Sequence, residues 1–125
     1  MAWLIHLDNG VASNKIPLDK DNVLIGRGID NDITIDDMSV SSQHARIGRE
    51  ILDEERAIYA YFLEDLDSTN GTFLNDNEIK RTRLHNEDVI RVAFNEFTFI
   101  DENEPQDEKT RKIHKSWIPG IFYTK

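Results

Sequence analysis

Cysteine is absent from all 125 residues. That excludes a disulfide framework and thiolate chemistry, and it fits a reducing cytoplasm. No apolar run reaches membrane-spanning length, and the start, MAWLIHLDNG, turns polar too soon for a secretory signal. No membrane role is expected. Basic residues are scarce, with 15 Lys and Arg against 24 Asp and Glu and a formal net charge of -9. The excess sits in residues 1–100, which hold 19 acidic and 10 basic residues; residues 101–125 carry 5 of each. A chain this acidic is a poor general binder of nucleic acid, because neutralising phosphates needs a basic patch. Any anion must be held by a few placed groups rather than by the overall field. Helix-length apolar stripes with caps are missing too, as are internal repeats and low-complexity tracts.

What the chain has is a series of short apolar runs. They are WLIHL (3–7), KIPL (15–18), NVLIG (22–26), DITI (32–35), HARI (44–47), AIYAYFL (57–63), TFL (72–74), DVIRV (88–92) and FTFI (97–100). Several alternate: Ile33 and Ile35 flank Thr34, Ile90, Val92 and Phe94 share one face, and Phe97 and Phe99 share another. The separators DNG, DKDN, GRGIDN, DEE, STNG and NDN are turn-like. Leu52 to Arg56 reads as an irregular turn in a long hairpin connection. Asn70-Gly71 is the strongest hairpin signal in the chain. Many short strands at regular spacing predict an all-β fold, an antiparallel β-sandwich or barrel. The texture changes near residue 101, where DENEPQDE reads as an acidic linker, followed by basic KTRKIHK and aromatic SWIPGIFYTK. The expected organisation is a domain over 1–102 and a linker and tail over 103–125.

Three polar loops join expected strands: GRGIDND (26–32), SVSSQH (39–44) and DSTNGT (67–72). A sandwich gathers its loops at two ends, so distant segments can converge. With Gly26-Arg27, Ser41-Ser42-Gln43-His44 and Asn70-Gly71 in order, the chain resembles a forkhead-associated (FHA) domain. DLDSTNGTFLN and RLHNEDVIRV extend the likeness, which covers about residues 3–100. The resemblance implies a β-sandwich of two sheets that recognises phosphothreonine. A phosphate dianion offers three acceptor oxygens and nearly two charges, and desolvating it requires charge-assisted donors. The resemblance puts Arg27 and Ser41 on the phosphate, Ser42 and Thr69 beside it, and Asn70 on the ligand main chain. It implies that His44 braces the binding loops without touching phosphate, and that Gly26 and Gly71 support them. The preference for phosphothreonine over phosphoserine is likewise the family's.

The residues permit blander readings. Gly26, Gly28 and Gly71 read as turn glycines at positive φ. Ser41 can stabilise its loop, and Asn70 can shape a turn while also binding ligand. Catalysis is not expected: Ser41 and His44 lie three residues apart in one loop, with no nucleophile elbow and no oxyanion hole. No cofactor or metal is expected either. DNDITIDD lacks the sixth-position Gly and closing Glu of a calcium loop, and His6, His44, His85 and His114 show no ligand spacing.

The chain departs from the family's pattern at Ser42, where Arg, Lys or Asn is common, and at Glu87 and Asp76, where Gly is usual. Arg46, Arg81 and Arg83 are further cations that sequence cannot place. The expected function is a non-catalytic signalling adaptor for phosphothreonine-containing partner proteins, substrates of a Ser/Thr kinase. The alternative is an FHA-like scaffold that makes phospho-independent contacts or self-associates through its tail. In that tail Trp117, Ile118, Ile121, Phe122 and Tyr123 form an apolar cluster around Pro119-Gly120. Thr110 is a candidate phosphosite that could enter the pocket of its own or a neighbouring chain.

Overall fold

A computed structural model describes residues 1–103. The tail's apolar cluster and Thr110 lie outside the described residues. Eleven strands follow in order: β1 (Ala2–Asp8), β2 (Val11–Pro17), β3 (Asn22–Gly26), β4 (Ile33–Thr34), β5 (Ala45–Asp53), β6 (Ile58–Asp65), β7 (Thr72–Leu74), β8 (Asn77–Glu78), β9 (Arg81–Leu84), β10 (Val89–Val92) and β11 (Asn95–Asp101). They form two sheets. One runs β2-β1-β11-β10-β7-β8 and the other β4-β3-β5-β6-β9. The strand pairs with a described register are antiparallel apart from β3 and β4, which run parallel. β4 is only two residues long, and the Arg27–Asp32 loop carries the chain around to lie alongside β3 in the same direction.

Period-2 alternation makes the core. Leu4 of β1, Ile90 and Val92 of β10, and Phe97 and Phe99 of β11 point inward from the six-stranded sheet. Val23 and Ile25 of β3, Ala45 and Ile47 of β5, and Tyr61 and Leu63 of β6 face them from the other. The rings of Tyr61 and Phe99 meet across the interface, with centroids 5.4 Å apart. Each fully buried large apolar side chain contributes about 1.5–3 kcal/mol.

The structure corrects several readings of the sequence. Phe94 does not share the face of Ile90 and Val92. It sits in the β10–β11 turn and is 75% exposed, because the chain reverses at Ala93 (φ 55). Asn70-Gly71 does not close a hairpin. It lies on the crossover from β6 in one sheet to β7 in the other, and only Gly71 has positive φ. The two-residue hairpins are Asn9-Gly10 between β1 and β2, Asn75-Asp76 between β7 and β8, and Ala93-Phe94 between β10 and β11. Both central residues of the first two have positive φ, as a type I′ turn requires, whereas in the third only Ala93 does. β5 runs on to Asp53, with an irregularity between Ile51 and Asp53, so its turn is confined to residues 54–57. The polar strands β8 and β9 carry too little apolar alternation to stand out; each edges a sheet.

Candidate loop site at one end of the sandwich

Strand direction brings the polar loops to one end. β3 ends at Gly26, β5 begins at Ala45, β6 ends at Asp65 and β7 begins at Thr72. The loops between them are tied by a ladder of short bonds. The backbone N–H of Arg27 donates to the carbonyl of Ser41 (2.9 Å), and that of Gly28 to the carbonyl of Ser42 (3.1 Å). Asn31, which is buried, donates its amide to the carbonyls of Gly28 (2.8 Å) and Ser42 (2.7 Å).

This close approach explains Gly26, and it corrects the turn reading. Neither Gly26 nor Gly28 has positive φ. A Cβ on Gly26 would stand 2.3 Å from the Ser42 carbonyl oxygen and 2.7 Å from the Asn31 amide nitrogen. Gly26 is there for space, not for backbone freedom. Gly71 differs: its φ of +89° is one that an L side chain rarely adopts.

His44 joins the second and third loops. It is fully buried, accepts from the Ser41 N–H at Nδ1 (3.0 Å), and donates from Nε2 to the Gly71 carbonyl (2.8 Å). The tautomer follows from the partners, since an N–H can only donate and a carbonyl can only accept. Its own backbone pairs with Ile25 and Leu66, so it sits between β3 and the chain leaving β6.

The third loop is shaped by Asp65, which the sequence reading did not single out. Its side chain is 3% exposed. Oδ1 accepts from the hydroxyls of Ser68 (2.5 Å) and Thr72 (2.7 Å), and Oδ2 from the Ser68 N–H (3.2 Å). Ser68 Oγ in turn accepts from the Gly71 N–H (3.0 Å). Burial works against the charged carboxylate, but the bonds from Ser68 and Thr72 outweigh it and hold the group below the ordinary carboxylate range. Asp and Ser three residues apart were visible in DLDSTNGT, but only the fold shows that both face inward.

The exposed Arg27 guanidinium is steered by a bond from Nε to the Val40 carbonyl (3.1 Å), and its Nη1 lies 3.8 Å from Met38 Sδ. Half-buried Ser41 accepts the Thr69 N–H at Oγ (3.1 Å). Exposed Asn70 donates its amide to the Ser39 carbonyl (2.7 Å). Ser42 is exposed beside them. The loops thus bring Arg27, Ser41, Thr69 and Asn70 to one rim, through Val40, Ser41 and Ser39 of the middle loop.

The other cations are engaged elsewhere. Arg46 pairs with Glu64 (2.5 Å) and with Asn22 on the outer face of the five-stranded sheet. Arg81 lies over the Phe62 ring (4.4 Å) and near Glu50 (3.8 Å). Arg83 pairs in register with Phe62 on β9, away from these loops. The usual glycines of the two later turns are replaced by strained residues, with Asp76 at φ 70° and Glu87 at φ 76°. Among the described residues no group of three or more His, Asp or Glu side chains could hold a metal ion.

The sequence model of the FHA domain family matches residues 23–93. The chain is 34% identical over 106 residues to proliferation marker protein Ki-67 of Homo sapiens, covering 84% of this chain and 3% of that one. It is 31% identical over 90 residues to the oxoglutarate dehydrogenase inhibitor of Corynebacterium jeikeium, covering 72% of this chain and 58% of that one. The chain therefore spans a small part of the first relative and little more than half of the second. Among solved structures, Mycobacterium tuberculosis EmbR in complex with a low affinity phosphopeptide superimposes with a TM-score of 0.66 at 34% identity, over 79% of this chain and 24% of that one.

Proposed function

The chain belongs to the FHA domain family, and from that premise we propose that it is a non-catalytic adaptor that binds phosphothreonine segments of partner proteins. Those partners are products of a Ser/Thr kinase, met in the cytoplasm. The observation that carries the reading is the bond from the Thr69 N–H to Ser41 Oγ (3.1 Å). It uses one lone pair of the hydroxyl and leaves the Ser41 proton to donate outward, next to the steered Arg27 fork. The hydroxyl of Thr69 is a further donor on the same rim. Asn70, with its amide on Ser39, keeps its carbonyl oxygen to accept a ligand backbone N–H. One guanidinium in a domain of net charge -9 makes the phosphate contact selective rather than tight. EmbR, whose structure holds a low affinity phosphopeptide, supports the same class of ligand here.

The test titrates three matched peptides, carrying phosphothreonine, phosphoserine or threonine, into the wild type and Arg27→Ala by calorimetry. Loss of a charge-assisted contact worth about 1.5–3 kcal/mol should weaken phosphothreonine binding about tenfold to a hundredfold. The unmodified peptide should bind neither protein. Equal binding of all three peptides, untouched by the substitution, refutes the reading.

A second reading is favoured by one feature. The outer face of the five-stranded sheet holds a groove of about 480 Å³ lined by Arg46, Gly48, Phe62 and Arg81, among others. Phospho-independent contacts would use it. Its cations Arg46, Arg49 and Arg81 already pair with Glu64, Asp21 and Glu50, which leaves it little charge to offer a partner.

A further inference from the structure

We propose that the cleft at the open edge of the sandwich receives a Lys or Arg side chain of the bound phosphopeptide, a few residues from its phosphothreonine. This rests on the phosphopeptide reading above and adds a specificity subsite to it. Edge strands β2 and β4 do not pair with each other, and between them opens a cavity of about 680 Å³. Its floor is apolar, made by Ile16 of β2, Ile33 of β4, Ile35 and Phe97 of β11. Ile33 and Phe97 are themselves buried, so these side chains are set in the core and present only their surfaces.

The rim is acidic. Asp36 and Asp37 line the cleft, and no Lys or Arg of the described residues does. Asp37 is pinned by the Ser39 N–H (2.9 Å), the Ser39 hydroxyl (2.8 Å) and the Asn95 amide (3.1 Å), all donors that favour its ionised form. Asp36 is exposed beside it. An apolar floor under a carboxylate rim matches one kind of side chain, an aliphatic stem that ends in a cation.

The cleft is continuous with the phosphate site. Met38, 84% exposed, lines it and also lies 3.8 Å from Arg27 Nη1. An extended peptide advances about 3.3 Å per residue. A ligand anchored at Arg27 therefore reaches the cleft within a few positions. Phosphate and cation on one ligand would meet the guanidinium and the carboxylates on either side of Met38.

The experiment screens an oriented peptide library with a fixed phosphothreonine against the full chain and against Asp36→Lys. Wild type should enrich Lys and Arg at one flanking position. A selected peptide with Lys there should bind about threefold to tenfold more tightly than its Ala twin, the range for a partly exposed ion pair with some apolar contact. In Asp36→Lys that ratio should fall to about one or below. Phosphothreonine-dependent binding without a basic preference, or a preference that Asp36→Lys leaves intact, overturns the subsite while sparing the phosphate reading. Binding without phosphothreonine dependence overturns both. A concentration-dependent dimer that Asp36→Lys dissolves gives the cleft to a second copy and overturns the assignment.

Discussion

Replacing His44 with alanine removes the bridge between two of the three loops, and its cost can be worked from the geometry. The imidazole is 0% exposed, so its place becomes a void rather than solvent. The two bonds lost are not equal. The Gly71 carbonyl also accepts from the Ala93 N–H (3.1 Å), so it keeps a partner. The Ser41 N–H has its bond to Nδ1 and is orphaned, which costs about 1–3 kcal/mol. Deleting a fully buried ring adds about 2 kcal/mol or more for lost packing and cavity. The sum is about 3–5 kcal/mol, a large share of the 5–15 kcal/mol that holds a typical domain together. Urea unfolding of both proteins, compared at equal slope, measures it. Peptide titration at low temperature, where the variant stays folded, should show weaker phosphothreonine binding because Ser41 and Thr69 are no longer held together. A stability loss under about 1 kcal/mol would refute the bridge. A large loss with unchanged affinity would refute the coupling of bridge to site.

Three further outcomes follow from the same contacts. Gly26→Ala must push the Ser42 carbonyl away from 2.3 Å, and overpacking of that kind costs about 1–3 kcal/mol or more by chemical denaturation, with peptide binding falling alongside. Asp76→Gly turns Asn75-Asp76 into the preferred Asn-Gly type I′ pair, so it should raise stability by about 0.5–1 kcal/mol and leave binding unchanged; a destabilised variant would count against the turn. Asp65, whose folded-state value lies below its ordinary 3.8, stabilises the fold fully above that value and loses the contribution as pH falls through the folded value. Wild type should therefore lose more stability than Asp65→Asn between about pH 5 and pH 3, and parallel losses would sink the claim.

Strand positions were legible wherever burial is periodic. NVLIG and TFL coincide with β3 and β7, because alternation reports which face is inward. Turn chemistry was less decisive. Asn70-Gly71 carries a hairpin signal, yet a local pair cannot say which sheet the next strand joins, and here it joins the other one. Asn75-Asp76 makes a true two-residue hairpin with a weaker signal, its strain offset by β7 and β8 pairing. β9 does not stand out in the sequence because Arg81 and Arg83 face outward and its inward positions hold only Leu84 and the polar Thr82. At the site, Arg27, Ser41, Thr69 and Asn70 could be named from their loops. The groups that organise them could not. Asn31 and Asp65 look like ordinary turn polars until the fold buries them, and the need for Gly26 arises from the folded positions of Ser42, 16 residues away, and of the Asn31 side chain.

The central claim is that the phosphate is read at the loop end of the sandwich rather than on a sheet face. The direct measurement is an amide NMR titration of the full chain with a phosphothreonine peptide and its unmodified twin. The phosphopeptide alone should shift Gly28, Ser41, Ser42, Thr69, Asn70 and Gly71, and move the Arg27 Nε–H resonance. Shifts clustered instead at Gly48, Phe62 and Arg81 on the outer sheet face, with the loop residues unmoved, would contradict it.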